Sequence, residues 1–452
     1  MESLSDTLWD VVISGTGLQQ SLLALALSRS GKKILHIDPN EYYGGAEAAF
    51  TLQDAASWVE RVSAGTGGLF DAASIAEPEV VIGLSSRAYS LALAPRLVHA
   101  RSALLSQLVS SRAYRQVEFL AVGSFFIFKP SQHPSETPTL ARIPSTREEV
   151  FSTTAIPTKA KRTLMKFLKF VLDYESSPQL ESWQPHADAP LTDLLQTQFK
   201  MDAELQTYIV TLTLSLDGKI STRDGLAVIR RHLSSMGVYM LGIGIKETEP
   251  AEDGVKIHLT SGDTVKTRML VQSDDSPSTE TGISKLVTVV DSPLRSLFEA
   301  VVEGAPRPAV AIIAFPAGKA SKYPVYLSAH SSDTGECPNG QSTLYLTTLT
   351  TSDSKEILQL ALDGFLRAVS EGQPPQTLYK LQYDQLAGSQ TLVVEGSVLT
   401  LPAPSFSLSF EDSTLEPVKQ TWKHVMGDAA VEAEYMTFAD REGAVDDDDI
   451  YE

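Results

Sequence analysis

From Trp9 to Gly45 the chain reads WDVVISGTGLQQSLLALALSRSGKKILHIDPNEYYGG. An apolar run, Val11 to Ile13, leads into Gly15 and Gly17. A helical apolar segment follows (Leu22, Leu23, Leu25, Leu27), closed by Gly31, and a second apolar strand, Ile34 to Ile37, ends in Asp38. Strand, glycine turn, helix, strand and terminal acid in this order predict a dinucleotide-binding βαβ unit. Gly15 permits the tight turn. Gly17 lets backbone approach a pyrophosphate at the helix N-terminus, where N–H groups and the helix dipole favour anions. Asp38, 21 residues after Gly17, is placed to accept from a ribose hydroxyl. The third fingerprint glycine is replaced by Gln20, which crowds the cofactor end. The spacing therefore supports the fold more strongly than it supports a bound dinucleotide.

At 452 residues the chain exceeds one ordinary domain, so two compartments are expected. No apolar run is long enough to span a bilayer, and MESLSDTLWD carries no basic leader; neither a transmembrane helix nor a signal peptide is expected. The single cysteine, Cys337, excludes an internal disulfide and a cysteine metal cage and fits a reducing cytosol. A net charge of −19 argues against nucleic acid and against anionic membrane as direct electrostatic partners. The Asp446–Asp449 run reads as a solvated tail, or as a lure for a basic partner. His36, His99 and His232 lack metal-ligand spacing, and no Ser/His/acid or paired-carboxylate constellation supports a hydrolase.

Further along, the adjacent aromatics of Glu41-Tyr42-Tyr43-Gly44-Gly45 suit either an interface anchor or a packed turn. Residues 51–75 read as a variable connection. Residues 89–100 alternate before a helix through Leu104 and Leu105, and 118–128 are strand-like. The Pro/Ser/Thr-rich stretch 129–146 reads as a loop or domain boundary. Beyond it, helical periodicity recurs: Leu164, Phe167, Leu168, Val171; then Leu191, Leu194, Leu195, Phe199; then Leu205, Ile209, Leu212, Leu216. Asp224 is placed to cap a last helix bearing Leu226, Ile229 and Leu233. After Met240, strands are expected at 255–259, 269–271, 309–315 and 343–349. Helices are expected around Leu358, Leu362, Phe365 and Val369, and around Val418, Trp422 and Val425. The expected architecture is α/β. Residues 1–140 and 238–435 form one large domain, 141–237 an inserted all-helical domain, and 436–452 an acidic disordered tail.

The string GTGLxxSxLxxxLxxxGKKxLHxDxNxYYGG resembles the opening of the Rab escort protein and Rab GDP dissociation inhibitor superfamily. Arg142-Ile143-Pro144, Phe151 and KRTLMKFL (161–168) resemble the helical domain of escort proteins in particular. YSLALAPRLVHAR (89–101), DTGECPNG (333–340) and WKHVMGD (422–428) extend the likeness over most of the chain. The resemblance implies an FAD/NAD(P)-binding-like large domain that holds no flavin, in keeping with Gln20. It places a platform for GDP-bound Rab at Tyr42, Tyr43, Gly44 and Gly45, with Met240 from a later strand. It implies docking of the Rab geranylgeranyl transferase heterodimer through Phe151 and Arg162, eleven residues apart. Phe151 would be an aromatic plug and Arg162 a fork donor.

The helical domain would cradle the geranylgeranyl chain, with Leu164, Leu168 and Val171 as candidate lining. Such a protein is non-catalytic and cytoplasmic. It presents the C-terminal cysteines of Rab for prenylation and delivers the product in transient membrane contact. One departure stands out: RRHLSSMGVY (230–239) runs directly into Met240-Leu241, where the family pattern carries a Gly-, Pro- and aromatic-rich segment. The alternatives are a dissociation inhibitor that recycles prenylated Rab, against which Phe151 with Arg162 argue, and an FAD-dependent oxidoreductase, against which Gln20 argues.

Overall fold

Residues 7–76, 85–117, 119–131, 133, 136–143, 158–232, 247–251, 254–258, 264–273, 277, 281–299, 307–318, 320–370 and 372–438 are described in a computed structural model of the chain. The fingerprint folds as expected: strand β1 (Leu8–Ser14), helix α1 (Leu18–Arg29) and strand β2 (Ile34–Ile37). β1 is buried from Val11 onward, as a central parallel strand covered on both faces must be.

The chain continues through β3 (Ala49–Phe50), α2 (Leu52–Ser63), β4 (Phe70–Ala76), β5 (Leu91–Ala92), α3 (Ala103–Ser110), β6 (Val122–Lys129) and β7 (Thr139–Ile143). Five helices follow: α4 (Thr158–Leu172), α5 (Gln179–Trp183), α6 (Leu191–Thr197), α7 (Ala203–Leu212) and α8 (Thr222–His232). Strands then return as β8 (Glu247–Ala251), β9 (Gly254–His258), β10 (Thr264–Ser273), β11 (Gly282–Val290), β12 (Val310–Phe315), β13 (Val325–Ser331) and β14 (Ser342–Leu349). The last elements are α9 (Ser354–Ala368), β15 (Thr377–Leu386), β16 (Val393–Glu395), β17 (Val398–Leu401) and α10 (Leu415–Met426).

Two large sheets organise these elements. The first runs β16–β17–β10–β1–β2, with the β8–β9 hairpin attached to β10; β1 is parallel to both β2 and β10. On one face Val11 and Ile13 meet Leu23 and Leu27 of α1 and Trp422 of α10, while Val12 and Leu270 point to the other face with Ile257 and Val265. Residues 238–435 thus supply β10, which pairs directly with β1 from the first part of the chain. The second sheet runs β4–β15–β11–β14–β13–β12–β6–β7 and is antiparallel except where β6 meets β12. Alternation along β11 sends Leu286 towards α9 and Val287 towards the core of Trp58 and Tyr383. The helices from α4 to α8 close their own core around Phe167, Leu195, Phe199 and Ile229. Tyr208 and Leu212 of α7 join that unit to Phe125 and Ile312 of the second sheet.

Four expectations need correction. Residues 51–75 are not a loose connection, because α2 and β4 occupy most of them. Thr51 caps α2 by accepting from the Asp54 amide, and Asp54 returns the bond in a capping box. Ala55, Trp58 and Val62 form the buried face of that helix. The 129–146 stretch holds β7, whose Thr139-Leu-Ala-Arg-Ile143 run pairs antiparallel with β6. Ser221, not Asp224, begins α8: the Asp224 amide donates to Ser221 Oγ, whose hydroxyl donates back to the carboxylate. Leu216 lies beyond α7, which ends at Leu212. Phe151, Met240, the join after Tyr239 and Asp446–Asp449 lie outside the described residues.

Candidate functional site

β1 and β2 end side by side, and the Gly15 turn sits across their carboxyl ends, the usual ligand crevice of an open α/β sheet. Gly15 has φ +89°, a backbone state that disfavours side chains, and its amide donates to Ile37 O at 2.8 Å. A Cβ at Gly15 or Gly17 would stand 3.2 or 3.1 Å from the Gln20 amide group. Gln20 thus occupies room that both glycines keep open, and it is itself buried. His36 Nε2 closes on Gly15 O at 2.8 Å; burial lowers the pKa of this ring, so it serves the turn as a neutral group.

Asp38 lies where the spacing places it, but its oxygens are engaged within the chain. Thr16 Oγ1 donates to Oδ2 at 2.5 Å, and the backbone and side-chain amides of Asn40 donate to Oδ1, each at 2.9 Å. Thr16 Oγ1 in turn accepts from the Gly44 amide at 3.2 Å. The Tyr-Tyr-Gly-Gly turn is therefore hung directly on the βαβ unit. Gly44 has φ +97°, and a Cβ there would come within 3.0 Å of the Ala48 backbone, so this position requires glycine.

The position expected for a pyrophosphate holds an acid. Glu47 Oε2 accepts from the Leu18 amide at 2.8 Å, at the N-terminus of α1. Its other oxygen takes Arg96 Nη1 at 2.8 Å, and Arg96 Nη2 donates to Ser405 O at 3.0 Å. Gln19 Nε2 donates to Pro402 O at 3.0 Å. A cavity of about 320 Å³ remains, lined by Gly15, Gly17, Gln20, Asp38, Gly44 and Glu47 among others. Its donor set does not fit a flavin dinucleotide: the helix terminus that would neutralise the diphosphate is already neutralised by a carboxylate that would repel it.

The two tyrosines divide. Tyr42 is half-buried, edge-on to Phe50 at 4.9 Å with the Arg61 guanidinium 4.8 Å over its ring. Tyr43 projects, 43 % exposed. The structure thus gathers Gly15, Gly17, Asp38, Gly44 and Gly45 around one cavity and carries Tyr43 outward from its rim.

The helical candidates form a separate group. Leu164, Leu168 and Val171 are 4 %, 8 % and 0 % exposed and belong to the closed core of α4–α8. Arg162 lies on the exposed side of α4.

Two sets of residues escaped sequence reasoning. One is Glu47 with Arg96, whose only signal is an acid just past the second glycine of the turn. The other is a Ser328–His330–Glu336 chain that the fold assembles. His330 Nε2 lies 2.8 Å from Ser328 Oγ and Nδ1 lies 2.9 Å from the Glu336 carboxylate, which also accepts from the Tyr345 hydroxyl at 3.0 Å. Its evident work is to fasten the 333–340 turn to β13 and β14. Among the described residues there is no cluster of metal-ligating side chains, and no helix long and apolar enough to cross a membrane.

Comparison with known proteins bears on the family and the fold. The family model for GDP dissociation inhibitors matches residues 5–233, just over half of the chain. The chain is 36 % identical over 234 residues to the Rab proteins geranylgeranyltransferase component A of Saccharomyces cerevisiae, a match covering 51 % of this chain and 37 % of that protein. It is 34 % identical over 236 residues to the Candida albicans protein of the same name, covering 51 % and 35 %. The chain therefore spans little more than a third of the length of these relatives. The crystal structure of Rab GDI from Plasmodium falciparum superposes with a TM-score of 0.64 at 15 % identity, covering 93 % of this chain and 98 % of that one. The large domain accordingly has the FAD/NAD(P)-binding-like fold of that inhibitor. The chain belongs to the GDP dissociation inhibitor family.

Proposed function

We propose that this protein is a Rab escort protein. It is a non-catalytic component that binds GDP-bound Rab, presents the Rab C-terminal cysteines to the geranylgeranyl transferase and carries the prenylated product to membranes. The observation that carries the reading is the turn at Tyr43: an exposed aromatic on a strand-end loop held by Thr16 and Glu47. It stands in a chain similar to two fungal proteins named as geranylgeranyltransferase components. A rigid, amphipathic ring on a braced loop has little entropy to lose on docking. The large domain works without flavin because Glu47 occupies the diphosphate position. The helical unit carries the lipid; burying a prenyl chain is worth about 0.8 kcal/mol per CH₂, so a carrier is needed in water.

Docking to the transferase is assigned to Phe151 and Arg162. The test is co-purification with the Rab transferase in the presence of geranylgeranyl diphosphate, comparing the unmutated chain with Phe151→Ala and Arg162→Ala. Capture lost in either variant supports the escort reading; no capture by the folded, unmutated chain overturns it. The second reading, a dissociation inhibitor, is favoured by the likeness to Rab GDI over nearly the whole chain. Extraction of prenylated Rab from membranes without transferase capture would establish it.

A further inference from the structure

The second sheet carries a cavity distinct from the one at the Gly15 turn, though its lining includes Arg96 and the Ser328–His330–Glu336 chain. About 160 Å³ of space lies against β11, β12, β13 and β14, walled by Leu97, Leu120, Val122, Leu214, Val310 and Ile312 and partly open to solvent. Strand register explains its polar side. Tyr326, Thr347 and Lys285 are paired in one row across three strands, and Ser328 with Tyr345 forms the next. All five line the space.

Lys285 is the residue in need of explanation. It is 7 % exposed, and among the described residues its Nζ donates one hydrogen bond, to Leu93 O at 2.7 Å. An ammonium has three donors, and a buried cation with donors unmet is costly. The neighbouring acids do not serve it: Glu47 holds the Leu18 amide and Arg96, and Glu336 holds His330 and Tyr345. Arg96 also stands in the cavity wall, but its charge is already paired with Glu47.

An apolar cavity of about 150 Å³ accepts a molecule the size of benzene. A guest for this one needs an apolar body of that size and a single anionic head. A cation is repelled by Lys285, a neutral guest leaves the ammonium unpaired, and a polyanion is too polar for the wall. We propose that this cavity binds a compact organic monocarboxylate, its body against Leu97, Val310 and Ile312 and its carboxylate on Lys285. The proposal rests on this cavity and is independent of the escort reading.

Binding is coupled to protonation. Burial first, then Arg96, pushes Lys285 down to about 7, with Glu47 opposing; His330, Glu336, Tyr326, Tyr345 and Tyr383 are the other titratable groups on this face. Above that value the free lysine is mostly neutral, and a bound carboxylate recharges it. Affinity therefore falls as pH rises through the neutral range, and binding takes up a proton.

The test is calorimetric titration of the full chain with benzoate, benzyl alcohol and benzylamine at about pH 6.5 and about pH 8.5, in buffers of different ionisation heat. Benzoate is expected to bind at least about tenfold more tightly than benzyl alcohol, to weaken by roughly tenfold at the higher pH with proton uptake, and benzylamine not to bind. Lys285→Met should lose benzoate selectively, and Val122→Phe, which fills the wall, should lose both benzoate and the alcohol. Absence of benzoate binding, equal binding of alcohol and carboxylate, or unaltered benzoate binding by a folded Lys285→Met protein overturns the proposal. If Lys285→Met does not fold, the ligand and pH comparisons on the unmutated chain decide it.

Discussion

At the N-terminus of α1 a single side chain, Glu47, stands where the fingerprint predicts a ligand. In the fingerprint, helix α1 offers its N-terminal amides to a diphosphate; here one of them, the Leu18 amide, is given to the chain's own carboxylate. The Glu47 and Arg96 side chains are 14 % and 11 % exposed, so the pair is well shielded and removing one charge leaves the other stranded. Glu47→Gln, which keeps an acceptor for the Leu18 amide, should destabilise the protein by about 2 kcal/mol, read as a lowered denaturant midpoint with unchanged slope. A change within error would mean that the pair is not a strut. Tyr43 is the opposite case. With its ring exposed, Tyr43→Ala should leave stability within about 0.5 kcal/mol while weakening Rab–GDP binding by at least about tenfold in titration calorimetry. Equal affinity would remove Tyr43 from the platform. Sequence could place Asp38 and leave Tyr42 and Tyr43 undecided between anchor and packing. It could not show that Asp38 is fully engaged by Thr16 and Asn40, nor that Tyr42 packs and Tyr43 does not. Those outcomes depend on partners brought in by the fold.

At the scale of elements, what was legible is what local periodicity writes. The βαβ unit, the stripes of α4, α6, α7 and α9, and the apolar strands β12 and β14 repeat at the spacing of their own structure. β4 was missed because its inward and outward residues are nearly all small, so alternation is weak in Phe70-Asp-Ala-Ala-Ser-Ile-Ala76. β7 was hidden in a proline-rich frame and is a strand only because β6 offers an edge. α2 did carry a signal, the Thr51/Asp54 box with Ala55, Trp58 and Val62 on one face. Thr51→Ala should cost about 1 kcal/mol in equilibrium unfolding. No loss would mean that tertiary burial of Trp58 alone holds the helix. The candidate site was less legible than the fold, because Glu47 lies 29 residues from the Leu18 amide it holds and Arg96 lies 49 from Glu47 and 309 from Ser405.

The whole molecule joins a braced sheet unit to a helical unit with a closed core of its own. Seen from the lipid, that closure matters. Leu164, Leu168 and Val171 are buried among Phe167, Phe199 and Ile229, so a prenyl chain that uses this stripe has to part the helices first. Opening exposes apolar surface, and the lipid offsets that loss only once it is in place. The kinetic consequence is specific. Mixing the chain with a fluorescent geranylgeranyl peptide should give an observed association rate that rises and then saturates with peptide concentration, the plateau being the opening rate. Leu168→Ala, which loosens the core by about 2–4 kcal/mol, should raise that plateau, whereas Arg162→Ala, on the outer face, should leave it unchanged. A rate that stays linear in peptide up to solubility would instead mean that the lipid enters an open surface elsewhere on the unit, and the inward stripe would then be core and nothing more.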